Sequence, residues 1–314
     1  MTKRVTLVDI AKKTGFSVNS VSRALMDASD ISDKTKAIIK KTADEMGYVP
    51  NIAAASLKNG NSKIIGILYD DLLNPYYNSV IHYLEEILSE RDYSIITYRS
   101  LTFDVEEFNN IISRNLEGLI TFLPPTDEVE KRIKIQKFPT VVIGRKAKMT
   151  SSVYADDLKI GNIAAQAIVN RNCKHPIYIG DDIEISKMRA EGFSLKLKEL
   201  DINHELYFYQ DQASIYDVLD QAFEINEIDS IFCFSDLVAF KVLRHLSKNK
   251  INNIVVVGVD NVQNEIPFPM DFITIGQDKE KIANKVIDLL FNQKVNIDSE
   301  VQFIVEEVYL VENN

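Results

Sequence analysis

The apolar residues of the chain change rhythm near residue 62. Before that point they recur at three- and four-residue spacing. Leu7, Ile10 and Ala11 form one such set; Ala24 and Leu25, with Val18 or Val21, form the next. Each set is one face of a short helix. Thr6 with Asp9 three residues on is a helix start signal, and Gly15 stands where a left-handed residue would end that helix. Phe16 can pack back into the angle between the two helices, and Ser17 caps the second. Ser32 caps a third helix over 33–46, Pro50 stops it, and Asn51 starts a short alanine-rich helix ending at Leu57.

Beyond residue 62 near-continuous apolar runs alternate with helical patterns. Strands are expected over 63–69, 93–98, 117–124, 139–144 and 151–156, then over 175–180, 205–209, 229–234, 253–260, 272–276 and 301–310. Helices are expected over 75–91, 104–114, 157–171, 187–200, 214–226, 236–249 and 279–292, with nothing assigned between 124 and 139. Apolar strands alternating with helices mark parallel sheets covered on both faces. The strand count exceeds one compact unit of that kind. The expected architecture is an N-terminal all-α helix-turn-helix headpiece and an α/β core of two doubly wound parallel-sheet subdomains. The boundaries are a headpiece over 1–49, a hinge helix and linker over 50–62, and a core over 63–314. In such sheets ligands sit beyond the carboxyl ends of the strands.

The second helix turns Asn19, Ser20, Ser22 and Arg23 away from its apolar face. Hydroxyls and helix-end N–H groups hold phosphates, while Asn and Arg can bond base edges in a major groove. Any small helical hairpin would share the apolar spacing. Charge sharpens the choice. The whole chain carries −10, yet residues 1–60 hold ten Lys/Arg against six Asp/Glu, a net +4, and the rest carries −14. A basic head on an acidic body suits a DNA-binding module whose body is kept off the phosphates.

Other chemistry is thin. His82, His175, His204 and His245 lie in no metal-ligand spacing, and no nucleophile elbow, phosphate loop or dinucleotide fingerprint occurs. No enzyme, metal or cofactor is expected. The N-terminus lacks the apolar stretch of a secretory signal, and no run approaches a membrane span, so the cytoplasm is the expected compartment. Cys173 and Cys233 lie far apart in apolar runs and read as free buried thiols. In the core, Pro75 opens a helix after the first strand and sets Tyr76 and Tyr77 at the cleft mouth. Their flat faces could stack on a sugar ring or serve as ordinary packing. Arg189, near the start of a helix, would by itself read as a solvated surface arginine.

TLVDIAKKTGFSVNSVSRAL at 6–25, then GYVPN at 47–51 and AASL at 54–57, resemble the headpiece and hinge of the LacI/GalR transcriptional regulators. Shorter matches in the core extend the resemblance over nearly the whole chain. It implies a periplasmic-binding-protein-like core. It also implies that Val18, Asn19 and Arg23 read bases, that Thr6, Ser17, Ser22 and Thr35 hold phosphates, and that Leu57 wedges into the central minor groove. Leu7, Ser20, Asn51, Ala54 and Lys58 complete the DNA-facing set. For the effector it implies Tyr76 and Tyr77, Arg189 in R-x-x-G-F, Ser235 and Asp236 where the family carries Asn-Asp, Asp260 at a strand end, and Gln277. Departures are Ala55 at the usual hinge arginine, Asn172-Cys173 for Gly-His, and Gln210 and Asp211 near a usual aromatic contact.

The function this implies is a homodimeric repressor of carbohydrate-use genes, bound to a near-palindromic double-stranded operator and released by a small sugar. A regulator co-repressed by a partner protein, sugar phosphate or purine is the nearer alternative. A solute-binding protein for sugar transport is the distant one, and residues 1–60 supply a helix-turn-helix in place of its export signal.

Overall fold

A computed structural model describes residues 4–49, 61–211, 214–225, 227–264, 272–296 and 298–312. The chain divides into two compact units, residues 1–62 and 63–314. The expected hinge helix, with Asn51, Ala54, Leu57 and Lys58, lies outside the described residues.

Among its described residues the first unit holds three helices: α1 (Leu7–Thr14), α2 (Val18–Leu25) and α3 (Asp33–Glu45). Its start signals act as read. Thr6 and Asp9 form a reciprocal capping box, with the Thr6 amide donating to the Asp9 carboxylate at 2.9 Å. Gly15, at φ 76°, ends α1 and donates to the Ala11 carbonyl. A side chain at that φ would be strained, so glycine suits the turn. Ser17 accepts from the Ser20 amide at 3.0 Å, and Ser32 from the Thr35 amide. The core is small: Ile10, Ala11, Val21, Ala24, Ile39 and Ala43 are buried, with Leu7, Phe16 and Leu25 packed against them. Between the two valines left open, Val21 is the buried one and Val18 is 41 % exposed.

The second unit contains two six-stranded sheets. The first is ordered β11-β5-β4-β3-β1-β2, from β1 (Ile64–Tyr69), β2 (Ser94–Arg99), β3 (Gly118–Thr121), β4 (Thr140–Ile143), β5 (Ser151–Ala155) and β11 (Phe303–Glu306). The second is ordered β12-β10-β9-β8-β6-β7, from β6 (Pro176–Asp181), β7 (Glu205–Tyr209), β8 (Ser230–Cys233), β9 (Val255–Val259), β10 (Ile273–Gln277) and β12 (Val308–Val311). Among the described residues all strand pairings are parallel except β12 on β10. The central strands β3, β4 and β8 are buried throughout, as their continuous apolar runs require.

Helices α4 (Pro75–Glu90), α5 (Val105–Ile112), α6 (Asp127–Gln136) and α11 (Lys279–Val295) serve the first sheet. Helices α7 (Asp157–Val169), α8 (Glu184–Glu199), α9 (Ile215–Ile225) and α10 (Asp236–Lys248) serve the second. The chain therefore passes between subdomains after β5, after β10 and between β11 and β12. Two expectations need correction. Helix α6 fills the stretch left unassigned; its charge-rich sequence hides the buried Val129 and Ile133. The single strand expected over 301–310 is two, because Glu307 is where the chain changes sheets. Cys173 and Cys233 are both free and buried, as expected.

One close helix crossing positions the site. A Cβ on Gly161 of α7 would lie 2.0 Å from the Arg189 carbonyl, and one on Gly192 of α8 would lie 2.0 Å from the Leu158 carbonyl. Only glycine lets the two backbones approach so near. That contact brings the first residue of α7, Asp157, beside Arg189 of α8.

Candidate functional site

The carboxyl ends of strands from both sheets face one cleft enclosing about 180 Å³. Asp70 and Asp71 follow β1, Phe122 follows β3, Arg145 follows β4, and Asp157 follows β5. From the second sheet come Asp181 at the end of β6, Phe234 and Ser235 after β8, Asp260 after β9, and Gln277 at the end of β10. This is where open parallel sheets place ligands, because side chains there converge without interrupting the ladder.

Tyr76 and Tyr77 occupy the first turn of α4, whose N-cap Asn74 accepts from the Tyr76 amide at 3.0 Å. Tyr77 lies against Phe122, ring centroids 4.4 Å apart and tilted by 32°, so the two form an apolar wall. Tyr76 is 8 % exposed, packs partly into the core of the first subdomain and also lines the cleft. Burial pushes both phenols well up, and neither is a proton donor of use near neutral pH.

Arg189 is not a solvated surface arginine. It is 7 % exposed, donates from Nε to Asp157 Oδ1 at 2.9 Å and from Nη1 to the Phe234 carbonyl at 2.6 Å, and lies over the Phe234 ring. Burial raises the Asp157 carboxyl while the Arg189 charge opposes that rise. The guanidinium is thereby oriented, with donors left over for a ligand. Asp260 is held by a backbone at φ 107°, in the left-handed region that costs a non-glycine residue on the order of 1–3 kcal/mol. Ser235 caps α10 and still lines the cleft. The Gln277 side chain, 5 % exposed, lines the cleft too, and its amide has no hydrogen-bond partner among the described residues.

Asp236 is a correction. It is fully buried, does not line the cleft, and accepts from the Thr274 hydroxyl and the Val262 amide, both at 2.7 Å. Gly258 makes room for it: a Cβ there would meet its carboxylate at 2.2 Å. Asp236 ties α10 to β10 and the turn after β9. In the opposite sense, Asp70, Asp71, Phe122, Arg145, Asp157, Asp181 and Phe234 line the cleft without having been singled out. The signal that could have found them is positional, since most stand within a few residues of the last apolar residue of a strand.

The first unit presents a second candidate surface. Thr6, Ser17, Val18, Asn19 and Arg23 are exposed, and Ser20 is half-buried. Leu7 and Thr35 are half-buried, Leu7 against the headpiece core. Ser22 departs from its expected place on the outer face: it is 9 % exposed, on the inward flank of α2. Arg23 donates to Asp30, with contacts of 2.6 and 3.1 Å, a pair half-exposed on both sides. The Ser17 and Ser20 hydroxyls bond each other at 2.9 Å. Among the described residues no group of His, Cys, Asp and Glu could hold a metal ion, and no helix is long and apolar enough to cross a membrane.

Residues 6–51 match the family described as bacterial regulatory proteins, lacI family. The chain is 27 % identical to the HTH-type transcriptional regulator MalR of Clostridium butyricum, over 98 % of this chain and 97 % of that one. It is 26 % identical to the sucrose operon repressor of Lactococcus lactis subsp. lactis, over 97 % and 99 %. Among solved structures, the lac repressor dimer bound to operator and the anti-inducer ONPF superposes with a TM-score of 0.83 at 20 % identity, covering 99 % of this chain and 98 % of that one. That last likeness is one of fold: a helix-turn-helix headpiece on a periplasmic-binding-protein-like core.

Proposed function

We propose that this LacI-family regulator represses genes of carbohydrate use by binding operator DNA, and that a small sugar releases it. One observation carries the reading. The same chain joins a helix-turn-helix whose outer face offers Asn19, Ser20 and Arg23 to a cleft that pairs an aromatic wall with directional polar groups. Polyols need that combination: the ring's apolar face takes the Tyr77–Phe122 wall, and its hydroxyls take Arg189, Asp260, Ser235 and Gln277. A relative named as a sucrose operon repressor supports the same class of effector.

The division of labour follows the two units. The headpiece, residues 1–49, places α2 in the major groove. Val18, Asn19 and Arg23 contact base edges, while Thr6, Leu7, Ser17, Ser20 and Thr35 contact the backbone. Ser22 contributes chiefly through its inward packing. Residues 50–62 link headpiece to core, with Asn51, Ala54, Leu57 and Lys58 at the DNA, and 63–314 bind effector and dimerise. A two-fold dimer matches a near-palindromic site. Release requires only that the sugar bind more tightly to the form with low DNA affinity. The cytoplasm is where such a regulator meets its operator.

The test is a gel-shift on operator DNA drawn from the gene's own upstream region, with neutral mono- and disaccharides added. Expected is a specific complex that one sugar class dissociates. A chain that binds no upstream fragment more tightly than random DNA would refute the regulator reading.

A further inference from the structure

Asp181 is one of the polar groups of the cleft that the reading above leaves without a task. It ends β6 in the second sheet, and Asp70 follows β1 in the first, so one acid comes from each subdomain. Both line the cleft. Oδ1 of each is shielded from solvent and has no hydrogen-bond donor among the described residues. The cleft's cations do not answer them. Arg189 spends Nε on Asp157 and Nη1 on the Phe234 carbonyl, and the Nε of Arg145 is itself shielded without an acceptor.

The groups facing Asp181 account for its state. Burial pushes the carboxyl up to about 6, the like charge of Asp70 across the cleft adds to that rise, and Lys241 of α10 opposes it. The neighbouring Asp182 is occupied by Lys187. Lys241 is shared, since it also faces Asp71. Five aspartates in the lining against two arginines leave the cleft acidic. The Gln277 amide, nine-tenths buried in the same lining and without a hydrogen-bond partner among the described residues, is a separate mark of a site built for an occupant.

We propose that Asp181, opposed by Asp70 across the cleft, selects the effector by accepting a hydrogen bond from a ring hydroxyl or ammonium, and excludes phosphorylated and carboxylated ligands. This rests on the cleft being the effector site. An occupant that donates to the ionised carboxylate prefers that form, so it binds more weakly as pH falls through about 6. A phosphate in its place would meet two carboxylates of like sign. Hydroxyl and ammonium differ in one respect: only the second cancels the excess charge.

The experiment compares the full-length chain with Asp181→Asn. Its first arm needs no ligand. A carboxyl raised on folding is favoured in its neutral form, so its stabilising contribution is complete below the unfolded value near 4 and lost as pH rises through about 6. The variant should therefore melt above the parent at pH 7.5, and the gap should close toward pH 4.5. A gap independent of pH would overturn the proposal. The second arm is calorimetric titration with maltose, sucrose, ribose, glucosamine and glucose 6-phosphate at pH 5 and 7.5. Expected is at least tenfold weaker binding of a neutral or amino sugar to the variant, with its pH dependence gone. Preference for glucosamine over the neutral sugars would assign the donor as ammonium. Equal affinity of parent and variant, or tightest binding by glucose 6-phosphate, would overturn the proposal alone. Silence from all five probes would overturn the sugar reading and this one with it.

Discussion

Replacing Arg189 by alanine leaves the Asp157 carboxylate buried without its charge partner. The two side chains are 8 % and 7 % exposed, so solvent cannot take over from the guanidinium. Removing one member of such a pair typically costs about 3–5 kcal/mol, since the charge left behind is desolvated and unpaired. In a unit of this size that corresponds to a drop in melting temperature on the order of 10 °C. Urea denaturation followed by circular dichroism measures it directly. A control separates the loss of the pair from the loss of packing: Arg189→Met with Asp157→Leu removes both charges and should recover much of the deficit. The pH dependence gives a further check. Burial already raises Asp157, and without Arg189 it rises further. A carboxyl whose folded value lies above its unfolded one costs stability as pH rises through it, so the deficit should be smaller at pH 5 than at pH 7.5. A deficit under about 1 kcal/mol, or a double variant no better than the single one, would refute the argument. It would restore Arg189 to a ligand clamp with no part in the fold.

Four other outcomes follow. Arg23→Ala should weaken specific operator binding roughly 10- to 100-fold by gel shift with little change in stability, because its Asp30 partner is as exposed as it is; unchanged affinity would remove α2 from the groove. Ile10→Ala should cost the headpiece about 2–5 kcal/mol and unfold it, since Ile10 is fully buried in a core of few residues; retained operator binding would contradict that. Gly192→Ala forces a methyl to 2.0 Å from the Leu158 carbonyl and should destabilise the core by about 1–3 kcal/mol or more; a neutral result by denaturant titration would mean the helices part freely. Cys173 and Cys233 are buried, with thiols pushed up chiefly by that burial, and both should resist thiol reagents until denaturant is added; rapid labelling of the native chain would refute it.

What the sequence determined alone was local. Thr6, Asp9, Gly15, Ser17 and Ser32 write helix starts and stops in short-range hydrogen bonds, and the structure shows each where the spacing puts it. Continuous apolar runs were legible as buried parallel strands for the same reason: burial on both faces leaves no polar positions. Helix α6 escaped because most of its surface is charged and only two apolar residues of DEVEKRIKIQ, Val129 and Ile133, are buried. The site was legible only where a motif marked it. Tyr76, Tyr77, Arg189, Ser235, Asp260 and Gln277 do line one cleft, whereas Asp236 belongs to the packing beneath it. Nothing in sequence distance relates Asp70 to Asp181 or Asp157 to Arg189. Those pairs exist because two sheets point their strand ends at each other, and because glycines at 161 and 192 let two helices touch. Which charges meet, which stay unpartnered and which are sealed away depend on that approach, and so only the tertiary structure decided them.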